Sequence, residues 1–338
     1  MNGYTGKVLR VDLSSGTIEI EEPAADFYRR YLGGNGFVAY YLLKEMPAGA
    51  DPLGPDNLLI FAGGPMTGIP IAGSGRNAVG AKSPLTNGYG EADVGGFFGA
   101  EMRRAGFDAI VVRGKSPTPV YLWVHDGEAE IRPADHLWGT TTLECQEAVR
   151  SELGESRARL AMIGPGGEKM VRYACVINDL KHAAGRSGMG AVMGSKNLKC
   201  VAARGKAAVP VADAEGIKEL ARWMRENWKE KLWDMHELGT SGGLTGLSET
   251  GRLPTRNFQD GQFDGAEKIG GEAMRDTILI DRGGCFACPV RCKRVVEVDD
   301  DEYQVDPEYG GPEYETLGAL GSNCGVDDLR AVAKANEL

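Results

Sequence analysis

The hydrophobic period of this chain changes once along its length, and that change limits the fold more than any single motif. Up to about residue 208 apolar residues mostly alternate with polar ones. Leu9, Val11 and Leu13 flank Arg10 and Asp12, Ser14-Ser15-Gly16 makes a turn, and Thr17–Glu21 alternates again, which predicts a hairpin. Leu58–Ala62, Asp108–Arg113, Val120–His125, Glu128–Arg132, Leu160–Ile163 and Lys199–Ala203 read as further strands, with Asp126-Gly127 as a tight hairpin turn. Tyr28–Met46 and Thr141–Leu153 read as helices, the second stopped by Gly154. Beyond Pro210 the pattern becomes helical. Asp213 offers an N-cap, Glu215 sits in the first turn, and Ile217, Leu220, Ala221, Met224, Trp228 and Leu232 mark one face of a long amphipathic helix. The expected fold class is therefore α+β, with a β-rich domain over 1–208 and a mainly helical domain over 209–338. The segment Asp327–Leu338 reads as a helix with neither cap nor stop signal, so the expectation is a fragment of a longer chain, incomplete at the C-terminus. No internal repeat is visible.

Hydrophobic residues make up 42% and charged residues 25%, ordinary for a soluble globular chain able to bury a core. The net charge of −10 argues against a nucleic-acid partner. Met1–Ser15 lacks the basic-then-apolar order of a signal peptide, and no apolar run is long enough for a membrane helix. These features predict a cytoplasmic protein, where seven cysteines serve as thiols or metal ligands rather than disulfides.

The sharpest chemical signal is Cys285-Phe286-Ala287-Cys288-Pro289-Val290-Arg291-Cys292, a C-x2-C-x3-C spacing. A tight loop can turn three such thiolates inward onto three irons of one [4Fe–4S] cluster, with Pro289 suiting the turn. The rival readings are a zinc half-site, for which no second cysteine pair follows, and an incidental cysteine group. A fourth thiolate is normally required. Cys324 is the only later cysteine, and it reads either as that ligand or, preferably, as a packed thiol. Cys145, Cys175 and Cys200 stand alone in helix or strand patterns and read as core residues.

Glycine is overrepresented, 49 of 338 residues, and clustered, so backbone can approach a ligand or another backbone closely. Gly73-Ser74-Gly75-Arg76-Asn77 sets an arginine in a permissive loop. Glu91-Ala92-Asp93-Val94-Gly95-Gly96-Phe97-Phe98-Gly99 leads into a helix whose first N–H groups suit a phosphate or the edge of a pterin ring. Neither matches a nucleotide-binding loop, and each alone reads more readily as a structural turn than as a ligand site. His182–Lys196 combines small residues, cations and a helix-like run; the plain alternative for His182 and Arg186 is a solvated surface.

Taken in order, GYTGKVLRVDLSSGTIE, IAGSGRNAVGAKSPLT, DVGGFFGAEMRRAG, NDLKHAAGRSGMGAVMGSKNLK, GRLPTRNFQDGQF, CFACPVRC and GPEYETLGALGSNCGVDD span nearly the whole chain. In these segments it resembles the tungsten-containing aldehyde ferredoxin oxidoreductases. The resemblance implies a β-rich base for a tungsten (or molybdenum) bis-pterin, with magnesium bridging the pterin phosphates, followed by helical domains. It implies cluster ligation by Cys285, Cys288 and Cys292, with Arg76 bridging pterin and cluster. Pterin contacts would fall at Asp93, Gly95, His182, Ala183, Gly185 and Arg186, although Asp93 stands where the family has asparagine and His182 where it has arginine. One glutamate of Glu313-Tyr314-Glu315 would approach the metal, Glu315 being favoured over Glu313. The family's D-x-x-G-L-D motif, metal-proximal histidine and fourth cysteine would lie beyond Leu338.

The implied reaction is oxidation of an aldehyde to its carboxylate, with ferredoxin as acceptor and a homodimer as the assembly. Glu315 would be the general base, its plain alternative being a structural salt bridge. The competing readings are a tungsten enzyme acting on an aryl-CoA thioester or glyceraldehyde phosphate, a non-catalytic iron–sulfur fragment, and an inert product of a broken gene.

Overall fold

The computed structural model describes residues 1–338 and has an α+β architecture, as the sequence predicts. The chain forms two compact units, one of residues 1–221 with 285–287 and one of residues 222–284 with 288–338.

The first unit contains two six-stranded sheets. One is built from β1 (Val8–Asp12), β2 (Thr17–Glu21), β3 (Leu59–Gly63), β4 (Asn77–Lys82), β5 (Tyr89–Val94) and β6 (Ala109–Arg113), in the order β2-β1-β6-β3-β4-β5. The other contains β7 (Val120–His125), β8 (Glu128–Pro133), β9 (Arg159–Met162), β10 (Val176–Asn178), β11 (His182–Ala184) and β12 (Leu198–Arg204), in the order β11-β10-β9-β12-β7-β8. Each sheet has one parallel pair, β1 with β6 and β7 with β12, and is otherwise antiparallel.

Strand alternation divides the side chains among three cores. Leu9, Val11, Phe61, Val79 and Ile110 of the first sheet pack with Leu122, Val124, Ala161, Val201 and Ala203 of the second. Val8, Ile60, Ala62 and Val111 point the other way, toward Tyr28, Phe37, Val38 and Tyr41 of α1 (Ala25–Tyr31) and α2 (Asn35–Glu45). Trp123, Leu160, Met162, Cys200 and Ala202 likewise pack against Cys145 and Val149 of α4 (Thr142–Leu153), which follows α3 (Phe98–Arg104) in the chain. Small helices α5 (Pro165–Glu168) and α6 (Met189–Ser195) complete the connections.

The predicted helix Tyr28–Met46 is in fact two. Leu32, Gly33 and Gly34 all have positive φ, and Gly34 N–H donates to the Gly63 carbonyl at 3.0 Å. A Cβ on Gly33 would sit 2.5 Å from that oxygen. The break is imposed by a strand-end carbonyl distant in sequence. The run 182–196 also divides, into strand β11 and helix α6.

The helix α7 (Ala214–Leu238) forms as expected but bends at Leu232, and none of its residues is fully buried. It leads into the second unit, which contains α8 (Leu244–Glu249), α9 (Ala266–Ile269), α10 (Gly271–Thr277), short pairs β13 (Leu279–Gly283) with β14 (Lys293–Val296) and β15 (Val298–Asp299) with β16 (Gln304–Val305), one turn α11 (Tyr314–Thr316) and α12 (Leu329–Glu337). Its core gathers Leu244, Phe263, Ile269, Met274, Val296, Leu317 and Val332. Contrary to expectation, the last helix does have an N-cap: the Asp328 carboxylate accepts from Arg330 N–H at 2.9 Å. No helix is long and apolar enough to cross a membrane.

Candidate functional site

In the first unit, β5 runs into Gly95-Gly96 and then α3. The helix entry is fixed by Asp179, whose carboxylate accepts from Phe97 N–H at 2.7 Å and Phe98 N–H at 3.2 Å. These helix-start donors, expected to face a phosphate or pterin, are therefore already engaged by protein. The Asp179 side chain is 5% exposed, with Arg159 3.8 Å away and lying 4.4 Å from the Phe97 ring. Burial pushes the Asp179 carboxyl up, opposed by Arg159 and the two N–H donors. Its neighbour Asn178 donates to the Asn77 side chain at 3.0 Å and to the Gly95 carbonyl at 3.1 Å. Sequence reasoning missed both residues. The Asn-Asp pair is a turn signal, but its targets lie 81 to 101 positions earlier in the chain.

His182, at the start of β11, is buried, and its Nε2 lies 3.5 Å from Cys285 Sγ. The ring and the thiol share a surface that only glycine permits. A Cβ on Gly95 would stand 2.8 Å from Cys285 Sγ, and one on Gly96 would stand 3.2 Å from His182 Nδ1. Phe286 N–H donates to the Gly96 carbonyl at 3.1 Å, and Arg104 lies 4.9 Å from the Phe286 ring. Gly75 belongs to the same seam, because a Cβ there would meet the Gly96 carbonyl oxygen at 2.6 Å and Phe286 N at 3.1 Å.

Of the remaining pterin candidates, Arg76 follows Gly75 directly, is exposed, and makes no side-chain hydrogen bond or ion pair; its carbonyl accepts from Thr67 Oγ1 at 2.8 Å. Asp93 is exposed on β5, in register with Ala78 of β4. Ala183, Gly185 and Arg186 are exposed on β11 and the turn after it. The structure thus brings Gly95, His182 and Cys285 into contact and sets Arg76 just before β4 and Asp93 on the neighbouring β5.

In the second unit, Arg291 adopts positive φ and pairs with Asp281 at 3.1 Å. The Val290 carbonyl accepts from His236 Nδ1 at 2.6 Å. Arg294 is buried and donates to the carbonyls of Glu237 and His236, each at 2.7 Å, and of Cys292 at 3.3 Å. Burial, reinforced by the neighbouring Arg282, lowers its pKa. Glu313 pairs with Lys293 at 2.6 Å and accepts from Thr240 Oγ1 at 3.3 Å, whereas Glu315 is exposed and has no ion pair.

None of the seven cysteines forms a disulfide. Cys145 and Cys200 are buried together and hydrogen-bonded, and burial raises the Cys200 thiol. Cys324 is exposed rather than packed, its thiol donating to the Ala319 carbonyl at 3.3 Å. Cys285, Cys288 and Cys292 are half-buried, as ligands at a protein edge would be. No three His, Cys, Asp or Glu side chains converge closely enough to hold one metal ion. A cubane asks for less convergence, since each thiolate binds a separate iron. Three soft, unbridged thiols in one loop, with glycines making room for the first, suit such a group.

Residues 8–205 match the family model for the aldehyde ferredoxin oxidoreductase N-terminal domain, and residues 217–338 match that for aldehyde ferredoxin oxidoreductase domains 2 & 3. The chain belongs to the aldehyde ferredoxin oxidoreductase family. Within it, the chain is 45% identical to the tungsten-containing aldehyde ferredoxin oxidoreductase of Pyrococcus abyssi, covering 100% of this chain and 55% of the relative. It is 43% identical to the protein of the same name from Thermococcus kodakarensis, covering 99% and 55%. A 34% identical relative in Pyrococcus furiosus is an aliphatic sulfonate oxidoreductase, WOR-like subunit. Among solved structures, the active-site complex BamBC of benzoyl coenzyme A reductase aligns with a TM-score of 0.78 at 29% identity, over 98% of this chain and 54% of the other. The chain spans about half the length of the curated relatives it matches.

Proposed function

We propose that this chain forms the cofactor-binding half of an enzyme that oxidises an aldehyde to its carboxylate and passes the electrons to ferredoxin. The balanced reaction converts aldehyde and water to carboxylate, two electrons and three protons. The observation that carries the reading is the glycine seam at Gly75, Gly95 and Gly96. It lets Cys285 and Phe286 lie directly against the turn after β5, with Gly75, the residue before the exposed and unpaired Arg76, abutting the same turn.

In this reading Cys285, Cys288 and Cys292 hold a [4Fe–4S] cluster. Arg76, Asp93, Gly95, His182, Ala183, Gly185 and Arg186 would hold a tungsten bis-pterin, the arginines neutralising its phosphate charge together with magnesium. When bound, these groups would supply a Lewis acid able to take up an electron pair and a one-electron relay toward ferredoxin. Asp179 holds the loop before α3 in place by capping its first N–H groups. Glu315 is the proposed general base: Glu313 is committed to Lys293 and Thr240, while Glu315 has free lone pairs with which to accept a proton from water or an aldehyde hydrate.

A second reading keeps the site and changes the substrate to an aryl-CoA thioester. The fold match to benzoyl coenzyme A reductase favours it, and the higher identity to the aldehyde enzymes opposes it. The test is anaerobic purification of the full-length protein, metal analysis, and assay of ferredoxin reduction with aldehydes, glyceraldehyde phosphate and aryl-CoA thioesters. Tungsten with aldehyde-dependent reduction supports the first reading. Activity confined to thioesters selects the second, and iron without tungsten or molybdenum indicates a non-catalytic iron–sulfur protein.

A further inference from the structure

We propose that His182 is a positioning residue for the iron–sulfur cluster, donating its Nε2–H to the Cys285 sulfur and thereby raising the cluster's reduction potential. This rests on the cluster reading above and adds a role that the pterin assignment of His182 does not contain.

The geometry is local to the first unit. His182 Nε2 lies 3.5 Å from Cys285 Sγ, within the range of a hydrogen bond to sulfur. The imidazole is 5% exposed and fixed in direction. His182 pairs with Asn178 across the β10–β11 turn, and Asn178 is itself tied to Asn77 and the Gly95 carbonyl. Gly95 and Gly96 abut the ring, since Cβ atoms there would come to 3.2 Å from Cδ2 and from Nδ1. The sulfur is held from its own side by the Phe286 N–H bond to the Gly96 carbonyl. Donor and acceptor are thus clamped by one short stretch of backbone.

The chemistry then fixes the direction of the bond. A cysteine that ligates iron is a thiolate and can only accept, so the proton must reside on Nε2. A donor at a ligand sulfur draws off negative charge and favours the more negative, reduced cluster. Hydrogen bonds to the sulfurs are one of the protein's means of setting cluster potential, as donors around other metal centres are.

The test is a potentiometric titration of the full-length protein, followed by electron paramagnetic resonance, in wild type, His182→Leu and His182→Gln. Loss of the donor in His182→Leu is expected to lower the reduced-to-oxidised ratio at a fixed potential about tenfold, or about 59 mV for a one-electron couple. His182→Gln keeps an N–H in nearly the same place and is expected to recover most of the shift. The wild-type reduced cluster should also show a proton coupling that exchanges in D2O and is absent from His182→Leu. Equal midpoints in all three proteins with intact clusters overturn the inference, as does a wild-type cluster without the exchangeable proton. Should His182→Leu lose its cluster, the wild-type proton coupling and the glutamine midpoint decide. A wild-type protein that takes up no cluster instead overturns the underlying functional reading, so the two failures are distinct.

Discussion

The two-sheet unit and the long helix α7 are the most regular parts of the molecule, and they treat apolar residues in opposite ways. In the sheets nearly every inward position is fully buried, and even charges are taken inside: Arg103 and Asp108 form a 2.6 Å ion pair with both side chains 0% exposed. Along α7, Leu220, Trp223, Trp233 and Met235 are 56%, 55%, 46% and 38% exposed. The contrast separates two meanings of amphipathicity. An alternating strand in a closed sandwich reports which side chains are covered, whereas a helical stripe reports only which side chains would gain from being covered.

The largest effect that could break this comparison is at the buried ion pair. Asp108 also accepts from the backbone N–H groups of Thr5 and Gly6, and Arg103 donates to the Gly3 carbonyl at 2.6 Å. Asp108→Ala leaves a buried guanidinium without its counter-charge and is expected to cost about 3–5 kcal/mol in urea unfolding. A loss below about 1 kcal/mol would mean the pair is not desolvated as described.

Lys196 gives a pH test of the same interior. Its ammonium is buried and donates to the carbonyls of Asn57 and Gly114, and burial lowers its pKa to about 7, only partly offset by Asp12 and Asp56. The unfolded chain holds that proton up to its ordinary range near 10.5, so unfolding takes up a proton between the two values. Stability therefore rises with pH above about 7, by up to about 1.4 kcal/mol per pH unit. Unfolding at pH 7, 7.5 and 8 should show this slope in wild type and lose it in Lys196→Met. The window stops at 8 because burial raises the Cys175 and Cys200 thiols and, higher still, the Tyr28 and Tyr41 hydroxyls, all of which act with the opposite sign at higher pH.

Smaller still is the cap of α4. Thr141 and Glu144 form a reciprocal capping box, so Thr141→Ala should cost about 1 kcal/mol by thermal or urea unfolding. The smallest effect belongs to the other side of the comparison. Trp223→Gln on α7 should change the stability of this chain by no more than about 0.5 kcal/mol. A loss of several kcal/mol would show that this face is covered after all.

How much of this was legible follows from how local each cause is. The α4 helix is bounded by Thr141, Glu144 and Gly154, all within one element, and the hairpin at Asp126-Gly127 has both residues at positive φ. Such features can be read from a short window. The division of Tyr28–Met46 depends on the Gly63 carbonyl, and the capping of α3 depends on Asp179, so neither is visible where it acts. Strands β4 and β5 escaped notice because Gly80 and Gly90 interrupt their apolar alternation, and β10 and β11 because they are only three residues long. At the candidate site, the spacing of Cys285, Cys288 and Cys292 was plain, as was the cation at Arg76. That His182 would meet Cys285 was not, because the two lie 103 positions apart and meet only across Gly95 and Gly96.

The most direct measurement is iron and acid-labile sulfide analysis of anaerobically reconstituted full-length protein, alongside a Cys285→Ser variant. The structure and the cysteine spacing together predict about four irons and four sulfides per chain, with a clear loss in the variant. Stoichiometric zinc with no iron, or iron uptake indifferent to Cys285, would contradict a cluster seated against the glycine seam.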